Sequence, residues 1–251
     1  MKISLIGQNL TNLILANNFA EKKLNVDIWL NKKSKKIKTN RTIAISPENF
    51  DYLKSLANSK LIPWKTKEIK IFTEGKVSKE IISFNKKNKE VFNLISYSKL
   101  NEIFFKKAKN SKFINLNYIN TSSPNILKKI KKYDLVINSE NKNLISNKYF
   151  TNKIKKNYNS FAYTFLINHK SKKNDIAIQV FTKFGPLAFL PLSNTQTSIV
   201  FSYKGEEIND IKILDLFKKY NFFYSLTKIS YIEKFSLGFE MLRNYSHSNI
   251  L

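Results

Sequence analysis

The stretch that decides the fold is Lys2–Leu30, KISLIGQNLTNLILANNFAEKKLNVDIWL. Lys2–Ile6 reads as a short apolar strand and Gly7–Thr11 as a tight turn. Leu13, Ile14, Ala16, Ala20 and Leu24 then recur at helical spacing, and Val26–Leu30 (VDIWL) is a second strand. Strand, turn, helix and strand in roughly thirty residues form a βαβ unit. Its two strands run parallel through a right-handed crossover.

The turn inside that unit is where chemistry would enter. Laid over the dinucleotide fingerprint G-x-G-x-x-G, Gly7 keeps the first glycine, and Asn9 and Asn12 hold the second and third places. The first glycine makes the turn, the second lets the backbone approach a pyrophosphate, and the third lets helix and strand pack closely. Asn tolerates positive φ better than most residues, but its side chain crowds both places. An acid is expected at the end of the second strand to bind a ribose; Leu30 and Asn31 stand there instead, and Asn31 can still hydrogen-bond a ribose hydroxyl.

Further along, Lys32–Lys38 (KKSKKIK) is a basic loop. Ser46-Pro47 opens a helix as N-cap and first helical residue. Glu68–Thr73 alternates and, with Gly75 after it, reads as a hairpin or an edge strand. Ser98–Lys109 and Asn125–Lys131 are helical, and Phe113–Ile119 and Tyr133–Asn138 are strands. The second half changes character: Ser160–Asn168, Ile176–Lys183, Leu187–Leu192 and Thr197–Tyr203 are β-branched or aromatic runs between turn residues, a meandering antiparallel sheet. Asp210–Tyr220 is a helix and Ile229–Leu237 another strand. The order implies an α/β chain of two lobes with a ligand between them.

Composition narrows the classes. The chain has 251 residues, 44 Lys+Arg against 18 Asp+Glu, and a net charge of +26. At 42% hydrophobic and 14% aromatic it can build a core, so it is no disordered polycation. No Cys excludes disulfides, thiolate metal sites and cysteine nucleophiles. His169 and His247 are the only histidines, which argues against a multi-histidine metal centre; both read as surface residues. Neither a secretory leader nor an apolar run of about 18 residues is present, so the expectation is a cytoplasmic chain. Arg41 and Arg243 are the only arginines, and Gly, at 5, falls well below the usual ~7%. Lysine, Asn and Ile in place of Arg and Gly is the mark of an A+T-rich genome, so most of the charge reads as solvated surface. No specific nucleic-acid partner is expected, because no DNA- or RNA-reading motif accompanies it.

Against that background two segments stand out. Arg41, in Arg41-Thr42-Ile43-Ala44-Ile45-Ser46, is a planar bidentate donor suited to a phosphate or a carboxylate, with a surface ion pair as the alternative. Gly185-Pro186-Leu187-Ala188-Phe189-Leu190-Pro191-Leu192 gathers one of five Gly and two of five Pro, a turn leading into an edge strand.

The segment Gln179–Leu192, followed by Thr197-Ser198-Ile199-Val200, resembles the "RFT-x-x-GPLA-x-LPL" strand pair of the ubiquinone-biosynthesis flavin hydroxylases, polyprenylphenol hydroxylases of the para-hydroxybenzoate hydroxylase fold. The βαβ unit, Arg41 with Ala44 and Ser46, and the strand Tyr133–Asn138 follow the same order, so the resemblance spans nearly the whole chain. It implies a Rossmann-like FAD-binding βαβ domain (1–68 and 97–155) with a second, mostly antiparallel β-sheet substrate domain (69–96 and 156–251). It further implies FAD as cofactor, NAD(P)H as reductant, and hydroxylation of the aromatic ring of a polyprenylated phenol. By position, Gly7, Asn9 and Asn12 match the pyrophosphate turn, Leu30 or Asn31 the ribose acid, Arg41 a phosphate-side arginine, and Gly185, Pro186 and Leu187 the strand pair that lines the cavity. The family's mid-chain Asp-Gly becomes Glu140-Asn141, with Leu144 in place of the following Ser. Its last FAD motif would follow a strand like Ser248–Leu251, where the sequence stops, so the expectation is a C-terminally truncated member.

No side-chain general base or metal ligand set emerges, which is consistent with a reaction whose reagent is the flavin. The lysine runs at 32–38 and 128–132 are candidates for attraction to an anionic membrane, at about 1 kcal/mol per well-placed Lys, with a solvated face as the alternative. The resemblance thus allows a peripheral position on the inner membrane or contact with a ubiquinone-synthesis complex. The aromatic residues around Asn221–Tyr224 read either as core or as a wall for a prenyl chain. The rival function is a non-catalytic remnant of the fold that binds a lipid or a partner.

Overall fold

Ile3–Ile6 is buried along its whole length, which only a strand covered on both faces permits. That strand is β1 of a computed structural model that describes residues 1–31, 39–58, 61–74, 80–86 and 89–251. The basic loop expected at 32–38 and the glycine at 75 lie outside the described residues. In chain order, α1 (Leu10–Glu21), β2 (Val26–Asn31), β3 (Thr42–Ile45), α2 (Pro47–Ala57), β4 (Trp64–Thr66), β5 (Glu68–Thr73), β6 (Glu80–Asn85) and β7 (Phe92–Ser96) follow. Then come α3 (Tyr97–Lys109), β8 (Ile114–Ile119), α4 (Asn125–Ile130), β9 (Leu135–Asn138) and α5 (Leu144–Tyr149). The remainder is β10 (Lys153–His169), β11 (Ile176–Thr182), β12 (Gly185–Pro191), β13 (Gln196–Lys204), α6 (Asp210–Tyr220), β14 (Leu226–Ile229) and β15 (Glu233–Leu242).

The chain divides into two compact units. Met1–Lys38, Lys99–Lys155 and Glu240–Leu251 form the first, and Thr39–Ser98 with Lys156–Phe239 the second. Besides the one between 38 and 39, the cuts fall inside α3, β10 and β15. The boundaries expected from sequence differ from this division at 39–68, 97–98 and 240–251.

The first unit is built on a parallel sheet ordered β8-β2-β1-β9. Its register sets Ile3 against Val26 and against Leu135, and Val26 against Ile114. Residues 249–251 extend it beyond β9: Val136 N donates to Asn249 O at 2.9 Å, and Leu251 N to Val136 O at 2.8 Å. The apolar stripe of α1 is buried at Leu13, Ala16 and Ala20. Asn17 interrupts that stripe yet is wholly buried, because its Nδ2 donates to Leu13 O (2.7 Å) and to Phe104 O of α3 (3.1 Å). A second cluster, including Ile6, Trp29, Ile126, Ile130, Val136 and Phe150, forms around α4 and α5.

The second unit holds an eight-stranded sheet ordered β14-β10-β13-β12-β11-β5-β6, with β15 also on β10, and a three-stranded antiparallel sheet ordered β3-β7-β4. From β10 to β11 the large sheet is antiparallel, as the alternating runs imply, but β5 joins β11 in parallel. The face that α6 covers is aromatic: the Phe217 ring stands edge-on to Phe165 at 5.1 Å and near Phe189 at 6.1 Å.

Several expectations are corrected here. β12 is paired on both sides and is no edge strand; its prolines sit near its two ends, where a missing N–H costs least. For β5 the edge-strand alternative falls, since it lies between β11 and β6, while its antiparallel pairing with β6 is the hairpin expected. The single strand expected over Ile229–Leu237 is two strands, β14 and β15. His169 is not a surface residue. It is 3% exposed, with Nδ1 bonded to Lys170 O (2.9 Å) and Nε2 to Thr197 Oγ1 (3.0 Å). Tyr224 is core, whereas its neighbour Phe222 is exposed.

Candidate functional site: the C-terminal edge of the parallel sheet

In an open α/β sheet, ligands collect outside the carboxyl ends of the strands, where β-to-α turns emerge. In the first unit that edge is formed by the turn after β1, the loop after β9 and the end of β2. Gly7 takes φ +112°, and its N–H donates to Trp29 O at 3.0 Å, which ties the turn to β2. The positive φ is what calls for glycine; a Cβ there would also lie 2.6 Å from Glu140 Cγ, so the Glu140 side chain would have to move.

Asn9 is the N-cap of α1. Its Oδ1 accepts from Asn12 N at 3.0 Å, and its Nδ2 donates to Ser139 Oγ at 2.5 Å. Asn12 is fully buried and turns back on the loop, with Nδ2 donating to Ile6 O (2.8 Å) and Gly7 O (3.0 Å). The side chain in the third glycine position thus replaces close backbone packing with hydrogen bonds to the turn's own carbonyls. Its Oδ1 is buried without a hydrogen-bond partner among the described residues. Glu140 leans on Gly7 from the loop after β9, with Oε2 accepting from Thr121 Oγ1 at 3.1 Å.

That loop is held by a network the sequence did not announce. Asn143 caps α5 through Ser146 N (2.9 Å) and donates to Asn138 Oδ1 (2.7 Å); Asn138 Nδ2 donates to Ser146 Oγ (2.8 Å). The one available signal was Asn143 just ahead of the apolar Leu144-Ile145, and Asn is too common here for that to register. A cavity of about 320 Å³ opens beside the loop, lined in part by Ser139, Glu140, Asn141, Phe150, Lys153 and Tyr245.

Gly7, Asn9, Asn12 and Glu140 therefore meet at one edge, and Asn31 ends β2 on the same edge, in register with Ile119. Arg41, Gly185 and Pro186 belong to the second unit. Arg41 is exposed, with its guanidinium carbon 5.1 Å from the Tyr97 ring centroid and 5.7 Å from that of Phe235. No carboxylate among the described residues pairs with it, so the expected alternative of an ion pair is not what holds it. A guanidinium seated on two π faces keeps its N–H edges for a planar anion. Gly185 (φ +128°) starts β12 after the Lys183-Phe184 turn, and a Cβ there would lie 1.9 Å from Ser202 O. Pro186 follows it, opposite Phe181. The hairpin alone accounts for both residues.

The turn fits the pyrophosphate end of FAD in two respects. It opens directly onto the N-terminus of a twelve-residue helix, and that helix has no acidic residue in its first turn. Two features narrow the approach: the Asn9 carboxamide over the helix end, and the Glu140 carboxylate beside Gly7.

No family model and no curated protein matches the sequence. Solved structures do match the fold. p-Nitrophenol 4-monooxygenase PnpA from Pseudomonas putida DLL-E4 superposes with a TM-score of 0.74 at 8% identity, over 99% of this chain and 71% of that one. The Y270A mutant of 2-methyl-3-hydroxypyridine-5-carboxylic acid oxygenase gives 0.71 at 9% identity, over 99% and 73%. pqsL, a probable FAD-dependent monooxygenase from Pseudomonas aeruginosa, gives 0.63 at 11% identity, over 81% and 60%. The chain has the fold of these oxygenases: mixed α/β, a Rossmann-like parallel sheet with a second, largely antiparallel one.

Proposed function

We propose that the chain is an FAD-dependent monooxygenase that hydroxylates an aromatic ring, and that its substrate is a polyprenylated phenol of ubiquinone biosynthesis. The observation that carries the flavin reading is the Gly7 turn opening onto α1 at the carboxyl edge of a parallel sheet, within a fold shared across 99% of the chain with an aromatic monooxygenase. The narrower substrate rests on the wording of Gln179–Leu192 alone. When bound and reduced by NAD(P)H, FAD would supply the oxygen-transfer chemistry. The chain's part is to hold and orient: the first-turn amides of α1 and the Gly7 turn for the pyrophosphate, Asn31 for the ribose. In the second unit, Arg41 is the group suited to an anion.

The test is the visible absorption of the purified chain after incubation with FAD and desalting. Flavin bands near one equivalent per chain support the reading. NAD(P)H oxidation stimulated by a polyprenylated phenol, with a hydroxylated product by mass spectrometry, would then support the substrate.

A second reading is favoured by a specific observation. Asn9 bonded to Ser139, with Glu140 packed on Gly7, is also how a site would close after losing its nucleotide. A chain that takes up no FAD, and still none after Asn9→Gly, is then a non-catalytic binding protein of this fold.

A further inference from the structure

The opposite edge of the same parallel sheet carries a charge pattern that the nucleotide edge does not explain. All helix-to-strand connections of βαβ units end at that edge, and the register aligns them: Ile3 with Val26 and Leu135, Val26 with Ile114. Within the four residues ahead of these stand Lys2 before β1, Lys22 and Lys23 before β2, Lys112 before β8, and Lys131 and Lys132 before β9. All six are exposed. With neighbouring strands ~4.8 Å apart, the four entries form a strip roughly 15 Å wide.

The bland account is that lysines offset the partial negative charge at helix C-termini. That account covers Lys22 and Lys23, because the last turn of α1 carries no basic residue, but the task is already filled in α3 and α4, whose last turns carry Lys106, Lys107 and Lys109, and Lys128 and Lys129. The carboxylates nearby are also engaged. Glu21 pairs with Lys107 at 2.8 Å; Asp27 accepts from Tyr133 Oη and, at 2.9 Å, from Asn115 Nδ2; and Asp134 accepts from the Lys2 amide at 2.6 Å. Asp27 and Asp134 keep their charge, since these hydrogen-bond donors are neutral, so six lysines against two carboxylates leave the strip net positive. A cavity of about 410 Å³ opens among Lys2, Asn25, Asp27, Asn115 and Lys132.

We propose that this edge docks the protein on an anionic membrane surface, its lysine ammonium groups meeting phospholipid phosphates. A bilayer suits the strip better than a nucleic acid does. Among the described residues at this edge there is no arginine fork to read a base edge and no exposed ring for a base to stack on. Tyr133 is buried with its hydroxyl held by Asp27, and Phe113 is half-buried. Ammonium groups on flexible stems match mobile headgroups without fixed geometry. Docking here leaves the Gly7 edge, at the far ends of the same strands, clear of the bilayer. The proposal does not depend on the flavin reading.

The experiment is co-sedimentation of the full chain with vesicles of phosphatidylglycerol and phosphatidylcholine in equal parts, and with phosphatidylcholine alone, in low and high salt. Binding is expected on the anionic vesicles only, falling with salt. Each well-placed lysine contributes about a fivefold factor. The variant Lys22→Gln/Lys112→Gln/Lys131→Gln/Lys132→Gln should therefore lose at least tenfold in partitioning. A control with the same charge loss, Lys54→Gln/Lys170→Gln/Lys212→Gln/Lys218→Gln, should change less than twofold. If the fourfold edge variant does not fold, the pairs Lys22→Gln/Lys112→Gln and Lys131→Gln/Lys132→Gln replace it, each with an intermediate loss. Equal losses in edge and control variants would overturn the proposal in favour of diffuse charge. A folded edge variant that binds as well as wild type would overturn it too. So would duplex DNA that displaces the protein from vesicles through the same four lysines.

Discussion

Asn9 and Ser139 close the carboxyl edge of the parallel sheet between them: Asn9 Nδ2 lies 2.5 Å from Ser139 Oγ, joining the turn after β1 to the loop after β9. The same carboxamide caps α1 through Asn12 N. One side chain therefore does what a glycine in that place could not, and stands where a glycine would leave room.

This sets up a two-sided prediction for Asn9→Gly. Glycine is a fair N-cap, so the substitution should cost only a few tenths of a kcal/mol from α1. It also removes the bond to Ser139 and opens the helix end, so FAD should bind at least fivefold tighter by flavin fluorescence quenching. A urea midpoint measured alongside separates the two effects. Unchanged FAD affinity in a stable variant would place the pyrophosphate elsewhere or nowhere.

Gly7→Ala should destabilise by about 2 kcal/mol or more, since Ala is strained at φ +112° and its Cβ would strike Glu140 Cγ. The two causes separate in a double-mutant cycle. Glu140→Ala removes the obstacle but leaves the strain, so Gly7→Ala in the Glu140→Ala background should cost less, though not nothing. Equal costs in both backgrounds would mean that the contact carries no energy.

How much of this was legible follows from how local each feature is. β1, α1 and β2 form within one short stretch, and their periods are visible in Lys2–Leu30 alone. The sheet β3-β7-β4 was missed because its strands are four, five and three residues long and meet only through distant pairing. The parallel match of β5 to β11 joins residues about a hundred positions apart, and no pattern inside Glu68–Thr73 can reveal it. Gly7 was legible because glycine is scarce in this chain. The Asn138–Asn143–Ser146 network was not, because in an Asn-rich sequence a capping Asn looks like any other. His169 was misread for a physical reason: its neighbours Asn168, Lys170 and Ser171 are polar, yet the Tyr224 ring, 4.5 Å away, and Thr197 lie against its imidazole.

That buried histidine belongs to a polar chain in the core of the second unit. Tyr224 Oη donates to Asn174 Oδ1 at 2.8 Å, Asn174 Nδ2 to Thr197 Oγ1 at 3.0 Å, and Thr197 Oγ1 meets His169 Nε2 at 3.0 Å. Asn174→Ala takes the acceptor from Tyr224 Oη and the donor from Ser193 O, while Thr197 stays bonded to His169, and should cost about 2–4 kcal/mol, because buried groups left unpaired bear their full desolvation penalty. Thr197→Val leaves His169 Nε2 as the one partner unpaired, since Asn174 Nδ2 keeps its bond to Ser193 O at 2.7 Å, and should cost less. Urea unfolding of the two variants checks the order; the reverse order would mean that the network is centred on Thr197.

Acid should act through Glu74. Its carboxylate accepts from Tyr220 Oη (2.7 Å) and from Lys183 N (2.5 Å), clipping the end of β5 to α6 and to the β11–β12 turn. The Tyr220 hydrogen bond first, then the Lys183 amide, hold this carboxyl below its ordinary range. A group with a lowered folded value stabilises the fold above its unfolded value, near 4.3, and that contribution fades as pH falls through the folded value. Wild type should therefore exceed Glu74→Gln in stability at neutral pH, with the gap closing below about pH 5. A gap independent of pH would assign the effect to hydrogen bonding alone.

α1 ends in a conformation that its own sequence resists. Lys23 N donates to Ala20 O at 2.9 Å and Leu24 N to Phe19 O at 3.0 Å, the paired bonds of a Schellman cap, and Lys23 takes φ +59° between them. Glycine is the residue this position favours, and a side chain there costs about 1 kcal/mol. Lys23→Gly should therefore raise stability by roughly 0.5–1 kcal/mol, the greater freedom of glycine in the unfolded chain offsetting part of the relief. Lys23→Ala isolates the charge: it keeps the strain, so it should stay near wild type. If Ala stabilises as much as Gly, the cost at this position is repulsion among the neighbouring lysines and not backbone strain. The gain would then shrink in high salt, whereas relief of strain would not.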